Sequence, residues 1–136
     1  MKKRIREIIN KTEKKEIVID GHYAVNVVPK ELVTRVFVLR RDPVELRGFM
    51  EHCGFHGRKL FENLASEVLD VCLVDALSLL DKRRVCELDV TGKSVEETVQ
   101  QIMFLLRNPR KCRVGIVDWL GKLEKDGLLE EYVKLN

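Results

Sequence analysis

The stretch Glu16-Ile17-Val18-Ile19-Asp20-Gly21-His22 decides the fold that this sequence predicts. Its run of β-branched residues before a glycine is typical of a strand buried on both faces of a parallel sheet. The predicted strand ends on a carboxylate and an imidazole, and open α/β sheets bind ligands at the carboxyl ends of their strands. We therefore predict an α/β domain with Asp20 and His22 as candidate functional residues.

Two further β-branched, apolar runs predict strands at residues 33 to 39 and 85 to 90. About a dozen residues separate the first two runs, which is close to the minimum for a parallel crossover. Arg40 stands at the end of the second run. After the third, Thr91-Gly92-Lys93 forms a turn into a helix.

The helix signals lie between these runs. Asp42 is a predicted N-cap, Pro43 occupies the first helical position and Glu45 completes a capping box, so we expect a helix from there to about His52. Gly54 ends it. A second helix is predicted as one element from about Gly57 to Leu80, on a broad apolar stripe.

Three more helices follow from similar signals. Residues 1 to 14 have an amphipathic pattern with a basic face, Ser94 with Glu97 forms a second capping box, and Asp118 caps a final helix. Residues 114 to 117 can be a short strand or an extended arm.

Composition fits one domain over residues 1–136. Hydrophobic residues make up 45% of the chain, and charged residues make up 35% with a net charge of +3. Mixed charge of this kind gives no broad field for a polyanion. Because no apolar run approaches the roughly 18 residues of a spanning helix, we expect a cytoplasmic protein.

The four cysteines are Cys53, Cys72, Cys86 and Cys112. Their spacing matches neither a zinc site nor a C-x-x-C redox motif. We therefore predict reduced thiols, with Cys72 and Cys86 as small core residues.

The order of motifs resembles the adenylate kinase-like ATPases implicated in ribosome assembly, a family with archaeal members and the eukaryotic adenylate kinase isoenzyme six. The motifs are D-G-H at 20–22, V-L-R at 38–40, F-x-x-x-K-x-x-E-N at 55–63, D-x-T-G-K-S-x-E-E at 89–97 and R-V-G-I-V-D-W-L at 113–120. The resemblance implies a P-loop nucleoside-monophosphate-kinase-like parallel sheet flanked by helices. It also implies a small helical lid at about residues 42–60 and a C-terminal extension at about 110–136.

The resemblance also implies an activity and its residues. Members of the family transfer phosphoryl groups between ATP and AMP, or hydrolyse ATP, with Mg²⁺. Asp20 matches a catalytic aspartate that orients water or the metal, and His22 matches the histidine beside it. Nucleotide-binding roles fall to Arg40 and Arg58 as cations that face the phosphates. Thr91, Gly92 and Lys93 match the turn that lines the adenine pocket.

Two departures from the family pattern concern phosphate binding. These 136 residues contain no G-x-x-x-x-G-K-[ST] loop, and Phe49 and Cys53 stand where the family's lid carries arginines. Neither side chain replaces the bidentate fork of arginine, although Arg58 and Lys59 can compensate in part. We expect a truncated or degenerate member with negligible phosphotransfer by the isolated chain.

In this family the Walker-loop strand lies between the strands that match residues 16–20 and 33–39. Without it both edges are open, and unpaired apolar edges are unstable. We expect either that the two strands close up against each other, or that a homo-oligomer or second chain supplies the neighbour.

Three functions remain open. The first is a nucleotide kinase or ATPase. The second is a non-catalytic protein-binding module in ribosome assembly, with a ribosomal protein as partner. The third is an RNA-contacting adaptor that uses residues 1–15 and 107–113, and it ranks last because no aromatic residues lie among these cations.

Overall fold

The computed structural model describes residues 1–13 and 16–133. The α-helices are α1 (Lys2–Lys11), α2 (Ala24–Val27), α3 (Pro43–His52), α4 (Gly57–Val68), α5 (Val71–Leu79), α6 (Val95–Arg107), α7 (Trp119–Lys125) and α8 (Leu129–Tyr132). The strands are β1 (Val36–Arg40) and β2 (Val85–Asp89). Short 3-10 turns lie at residues 30–32, 82–84 and 109–111. The predicted mixture of helices and parallel strands is confirmed in this form.

The two strands form a parallel sheet in which Val36 pairs with Val85 and Arg40 pairs with Asp89. Helices α3, α4 and α5 lie in the connection between them, as a parallel crossover requires. Because the strands are parallel and in this register, their carboxyl ends meet at one edge of the sheet. The chain just after β1 therefore lies beside the chain just after β2.

The predicted strand at residues 16–20 is wrong. These residues have no regular structure and are exposed, Val18 to 92%. A β-branched run needs a neighbouring strand to pair its backbone groups, and none of the described residues provides one here. The expectation that this run closes up against β1 is wrong for the same reason.

Helix α3 begins and ends as predicted, but its capping differs. The Asp42 carboxylate accepts a hydrogen bond from the Val44 amide at 2.8 Å. Glu45 does not complete the expected capping box, because its carboxylate accepts from the Arg41 guanidinium and from the Gly92 amide instead. Gly54 has a φ of +87°, which explains why a glycine ends this helix.

The predicted long helix from Gly57 to Leu80 is two helices, α4 and α5. The break lies at Asp70, whose φ of 57° is in the left-handed region. Asp is among the few residues besides glycine that adopt this conformation readily. Apolar residues continue along the sequence on both sides of the break, so the periodicity alone did not reveal it, although the two helices pack into different buried groups.

The remaining helix signals are confirmed. Ser94 and Glu97 form a reciprocal capping box at the start of α6, and Asp118 caps α7 by accepting from the Gly121 amide at 2.9 Å. Helix α1 ends at Lys11, while Lys14, its predicted end, lies outside the described residues. Residues 114 to 117 form neither the short strand nor a regularly extended arm, because the chain bends at Val114 and Gly115 has a φ of +74°.

Three groups of buried side chains hold these elements together. The first joins α4 to α7 and α8 and consists of Leu60, Leu64, Val68, Leu123, Tyr132 and Val133. The second joins α5 to the sheet and consists of Val38, Leu73, Ala76, Leu80 and Val85. The third joins β2 to α6 and consists of Cys86, Leu88, Val90 and Leu105.

Cys86 and Cys112 form a disulfide, so the prediction of four reduced thiols is wrong for this pair. Their Cα atoms are 5.0 Å apart, although they are separated by 26 positions in the sequence. Pairing of this kind cannot be deduced from spacing. The prediction that Cys86 lies in the core is confirmed, and Cys53 and Cys72 are free thiols.

Candidate functional site

Hydrogen bonds join the segments that follow the two strands. The Val90 amide donates to the Arg40 carbonyl at 2.8 Å, and the Asp42 amide donates to the Thr91 hydroxyl at 2.8 Å. The Thr91 hydroxyl in turn donates to the Asp89 carboxylate at 2.6 Å. Arg40 and Thr91, both predicted site residues, therefore lie on one edge of the sheet.

Arg41 and Glu45 belong to the same edge. Glu45 accepts from the Gly92 amide at 3.1 Å and from the Arg41 guanidinium at 2.9 Å. The Arg41 guanidinium also stacks over the Phe49 ring, 4.7 Å from its centroid. Sequence reasoning passed over both residues as site candidates, although Arg41 directly follows a predicted strand end.

Lys93 lies beside this edge but turns its amine toward α6. Its Nζ donates to the Gln101 side chain at 2.8 Å. The predicted turn is present, with Gly92 at a φ of +70°. Arg40, Thr91, Gly92 and Lys93 are thus brought together.

Arg40 is almost completely buried, at 2% exposure, and three acidic side chains surround it. Nε donates to Glu67 at 2.8 Å, Nη1 donates to Glu87 at 2.5 Å, and Nη2 donates to Asp70 at 2.5 Å. Nη2 also donates to the Glu67 carbonyl at 2.9 Å. These four residues are called the Arg40 cluster below.

The Arg40 cluster fixes a positive charge inside the fold. Burial alone lowers the pKa of Arg40, but the charge of Glu67 and the hydrogen bonds to Asp70, Glu67 and Glu87 together raise this pKa above its ordinary value. All three guanidinium nitrogens are engaged by protein acceptors. Because the side chain is also almost completely buried, a phosphate from solvent would reach this cation only if the surrounding groups moved.

The C-terminal part of the chain docks on the same cluster. The Trp119 indole donates to Glu67 at 2.8 Å, and the Ile116 amide donates to Glu87 at 2.7 Å. Lys122 forms an ion pair with Asp42 at the start of α3. The one sequence signal of this arrangement is Glu87, a carboxylate between apolar residues in the middle of β2.

Asp20 and His22 occupy a different position. Both are exposed, and no hydrogen bond or ion pair among the described residues joins them to Arg40 or Thr91. The His22 ring lies against Cys72 at the start of α5, with Nδ1 3.7 Å from Sγ. Burial, with smaller contributions from the charges of Glu67 and Asp75, raises the pKa of the Cys72 thiol.

Arg58 lies away from the sheet edge. Its side chain is 91% exposed and pairs with Glu62 one helical turn along α4, at 2.6 Å. An open hollow of about 450 Å³ lies between α3 and α4. It is lined by Arg47, Glu51, Gly54, Phe55, His56, Gly57, Leu60 and Phe61, and by none of the predicted site residues.

Across residues 1–13 and 16–133, no group of three or more His, Cys, Asp or Glu side chains is arranged to hold a metal ion. Asp20, the predicted metal ligand, offers a single exposed carboxylate. Within the same residues no helix has the length and apolar character needed to cross a membrane.

The chain matches no protein-family model. It is similar to archaeal proteins that carry the name "Putative adenylate kinase". With the protein of Thermococcus onnurineus it shares 40% identity over 111 residues, 82% of this chain and 58% of the relative. With the protein of Pyrococcus furiosus it shares 39% over 111 residues, again 82% and 58%.

With the protein of Methanocaldococcus jannaschii the identity is 33% over 121 residues, which is 88% of this chain and 63% of the relative. The chain thus spans about three-fifths of the length of these relatives. Their similarity over most of its residues supports an adenylate kinase-like family for this protein.

Proposed function

We propose that this chain is part of an adenylate kinase-like nucleotide-binding protein whose site lies at the carboxyl ends of β1 and β2. The observation that carries the proposal is the meeting of Arg40, Arg41 and the Thr91-Gly92 turn at one edge of a parallel sheet. Ligands of open α/β sheets bind in this position. ATP and AMP are the substrates that the names of the relatives indicate.

Arg41 is the cation at this edge that is best placed to meet a phosphate. Its side chain is 25% exposed and has one carboxylate partner, whereas Arg40 is buried and has three. Stacking on Phe49 holds the guanidinium plane in place, which reduces the entropy lost on binding. Arg40 then positions the strand end, and Arg41 contacts the ligand.

Catalytic roles for Asp20 and His22 are supported by the resemblance, not by contact with this edge. Mg²⁺ in phosphoryl-transfer sites is commonly held by one or two carboxylates together with the nucleotide phosphates. An exposed Asp20 is consistent with that use, in which the nucleotide brings the metal. Both residues would have to approach the sheet edge for turnover.

We further propose that these 136 residues alone transfer phosphoryl groups between ATP and AMP at a negligible rate. The sequence carries no loop of backbone amides of the Walker type, and Phe49 and Cys53 replace lid cations. The burial of Arg40 among three carboxylates adds to this. Catalysis of phosphoryl transfer depends on such donors around the transferring group.

The test is isothermal titration of the chain with Mg-ATP and with AMP, combined with a coupled adenylate kinase assay. We expect binding without turnover. Arg41→Met should weaken Mg-ATP binding by roughly 10- to 150-fold, because a charge-assisted hydrogen bond contributes roughly 1.5–3 kcal/mol. Arg83→Met, at an exposed position that pairs with Asp81, is the matched control and should leave binding unchanged.

A second candidate function is that of a non-catalytic protein-binding module. Its partner would be a ribosomal protein or a second chain that completes the sheet. It is supported by the open edge of β1. The Arg40 carbonyl accepts from the Val90 amide and therefore points toward β2. Because the backbone groups of successive strand residues point to opposite sides, those of Phe37 and Leu39 point away from β2. Absence of any heat of binding at millimolar nucleotide would reject the first candidate and leave this one.

A further inference from the structure

The Cys86–Cys112 disulfide joins β2 to the first residue of a stretch that we call the tail segment, residues 112–125. Cys86 is completely buried within β2, whereas Cys112 is partly exposed. Their Cα separation of 5.0 Å lies within the range that disulfides require. The bond therefore closes between positions that the fold already places side by side.

The first part of the tail segment is attached to β2 next to this bond. The Glu87 amide donates to the Arg113 carbonyl at 2.8 Å, and the Ile116 amide donates to the Glu87 carboxylate at 2.7 Å. The second oxygen of Glu87 accepts from Arg40. The disulfide and the Arg40 cluster thus act on one short stretch of chain.

Apart from the disulfide and the two hydrogen bonds to Glu87, residues 112–118 have little to hold them. Arg113, Gly115, Ile116 and Asp118 are exposed, and Val114 is the one apolar side chain of this stretch that packs against the buried group joining α5 to the sheet. Segments with few buried apolar contacts open locally at low free-energy cost. A covalent link at Cys112 removes much of that freedom.

We propose that Cys86 and Cys112 form a thiol–disulfide switch, which locks the start of the tail segment against β2 when oxidised and releases residues 112–118 when reduced. A thiolate of a dithiol reductant attacks one sulfur, and the other sulfur leaves as a thiolate and takes up a proton. The second thiol of the reductant then attacks the reductant's own sulfur in the mixed disulfide, and the second cysteine of the protein leaves as a thiolate and takes up a proton. Two electrons pass to the protein, and the reductant leaves as a disulfide.

The proposal is independent of nucleotide binding, because it concerns the attachment of the tail segment alone. The structure supplies two reporters of that attachment. Trp119 is the sole tryptophan of the chain, is 7% exposed and lies seven positions after Cys112. Arg110, Lys111 and Arg113 are exposed trypsin sites on either side of Cys112.

The experiment compares the full chain after equilibration with glutathione disulfide and after reduction with dithiothreitol. Alkylation in denaturant counts thiols: the oxidised form should expose the two free cysteines, Cys53 and Cys72, and the reduced form all four. On reduction, trypsin cleavage after Arg113 should become about tenfold faster as the loop constraint is lost. Trp119 emission should shift to longer wavelength.

Two variants serve as controls. Cys112→Ser avoids the buried Cys86 position and should show the fast cleavage of the reduced form with or without dithiothreitol. Cys53→Ser removes an exposed free thiol and should respond to reduction like the wild type. Four reactive thiols after treatment with glutathione disulfide, or identical cleavage and emission of the wild type in both redox states, would overturn the proposal.

Discussion

Replacement of Arg40 by methionine should destabilise the fold strongly, because the cost falls on a carboxylate that water cannot reach. The Glu87 side chain is 0% exposed, whereas those of Glu67 and Asp70 are 16% and 40% exposed. In the Arg40→Met variant, Glu67 and Asp70 can be solvated in part. Among the described residues, Glu87 then keeps only the Ile116 amide as a donor to its side chain.

The magnitude follows from that difference. Removal of one partner from a buried ion pair costs about 3–5 kcal/mol, since an uncompensated charge remains inside the protein. For a chain of this length each 1 kcal/mol lowers Tm by roughly 3–5 °C, so the expected loss is roughly 10–20 °C. Glu67 and Asp70, which water reaches in part, contribute little to this loss of stability.

The measurement is chemical denaturation followed by Trp119 fluorescence and by far-UV circular dichroism. Arg58→Met is the control, because its ion pair with Glu62 is exposed and should contribute no measurable stability. The double variant Arg40→Met/Glu87→Met removes the stranded charge. It should be at least about 1 kcal/mol more stable than Arg40→Met alone.

An Arg40→Met variant within about 1 kcal/mol of the wild type would refute this reasoning, since the penalty for a buried, unpaired carboxylate exceeds that value. A double variant that is less stable than Arg40→Met would refute the assignment of the cost to Glu87. The two outcomes are separate, so the test distinguishes the size of the effect from its location.

Two further predictions concern helix starts. Burial favours the neutral form of Asp42, but hydrogen bonds from Lys122 and the Val44 amide outweigh it and lower the pKa of this carboxyl below its ordinary 3.8. Its contribution to stability is therefore complete above that value and is lost as the pH falls through the lower folded pKa. Asp42→Asn keeps a good cap without the charge. Denaturation is measured at about pH 6, where carboxyl groups are ionised, and at about pH 3, below their ordinary pKa. The variant should lose less stability between the two pH values than the wild type. An equal loss would contradict the sign. Ser94→Ala should cost about 1 kcal/mol by removing the capping box of α6, measured by urea denaturation, while Ser78→Ala serves as a non-capping control.

The sequence predicted the parts of the fold that rest on local interactions. The caps at Asp42, Ser94 and Asp118 depend on side chains within three residues of the amides they bind, and all three are present. The break at Asp70 was not predictable, because a left-handed aspartate leaves the apolar stripe unchanged. Its carboxylate contacts Arg40, 30 positions away, and no local pattern encodes that contact.

The candidate site was predictable to a similar extent. Strand ends in a parallel sheet meet at one edge, so Arg40 and Thr91 could be placed together from the sequence. The direction in which Arg40 points could not, because it depends on three acidic residues from α4, the α4–α5 break and β2. The same limit applies to Cys86 and Cys112, whose pairing is set by the fold.

Residues 16–20 show why a strand is harder to predict from a local sequence pattern than a helix is. A helix satisfies its backbone groups within one segment, whereas a strand has to borrow donors and acceptors from another. Ile17, Val18 and Ile19 have the right side chains and no described neighbour, so they stay exposed. The outer edge of β1 offers backbone groups of Phe37 and Leu39, and no strand of the described residues lies beside them either. The prediction of a strand at residues 16–20 therefore rests on the side-chain pattern alone, whereas the pairing that a strand needs is a property of the whole sheet.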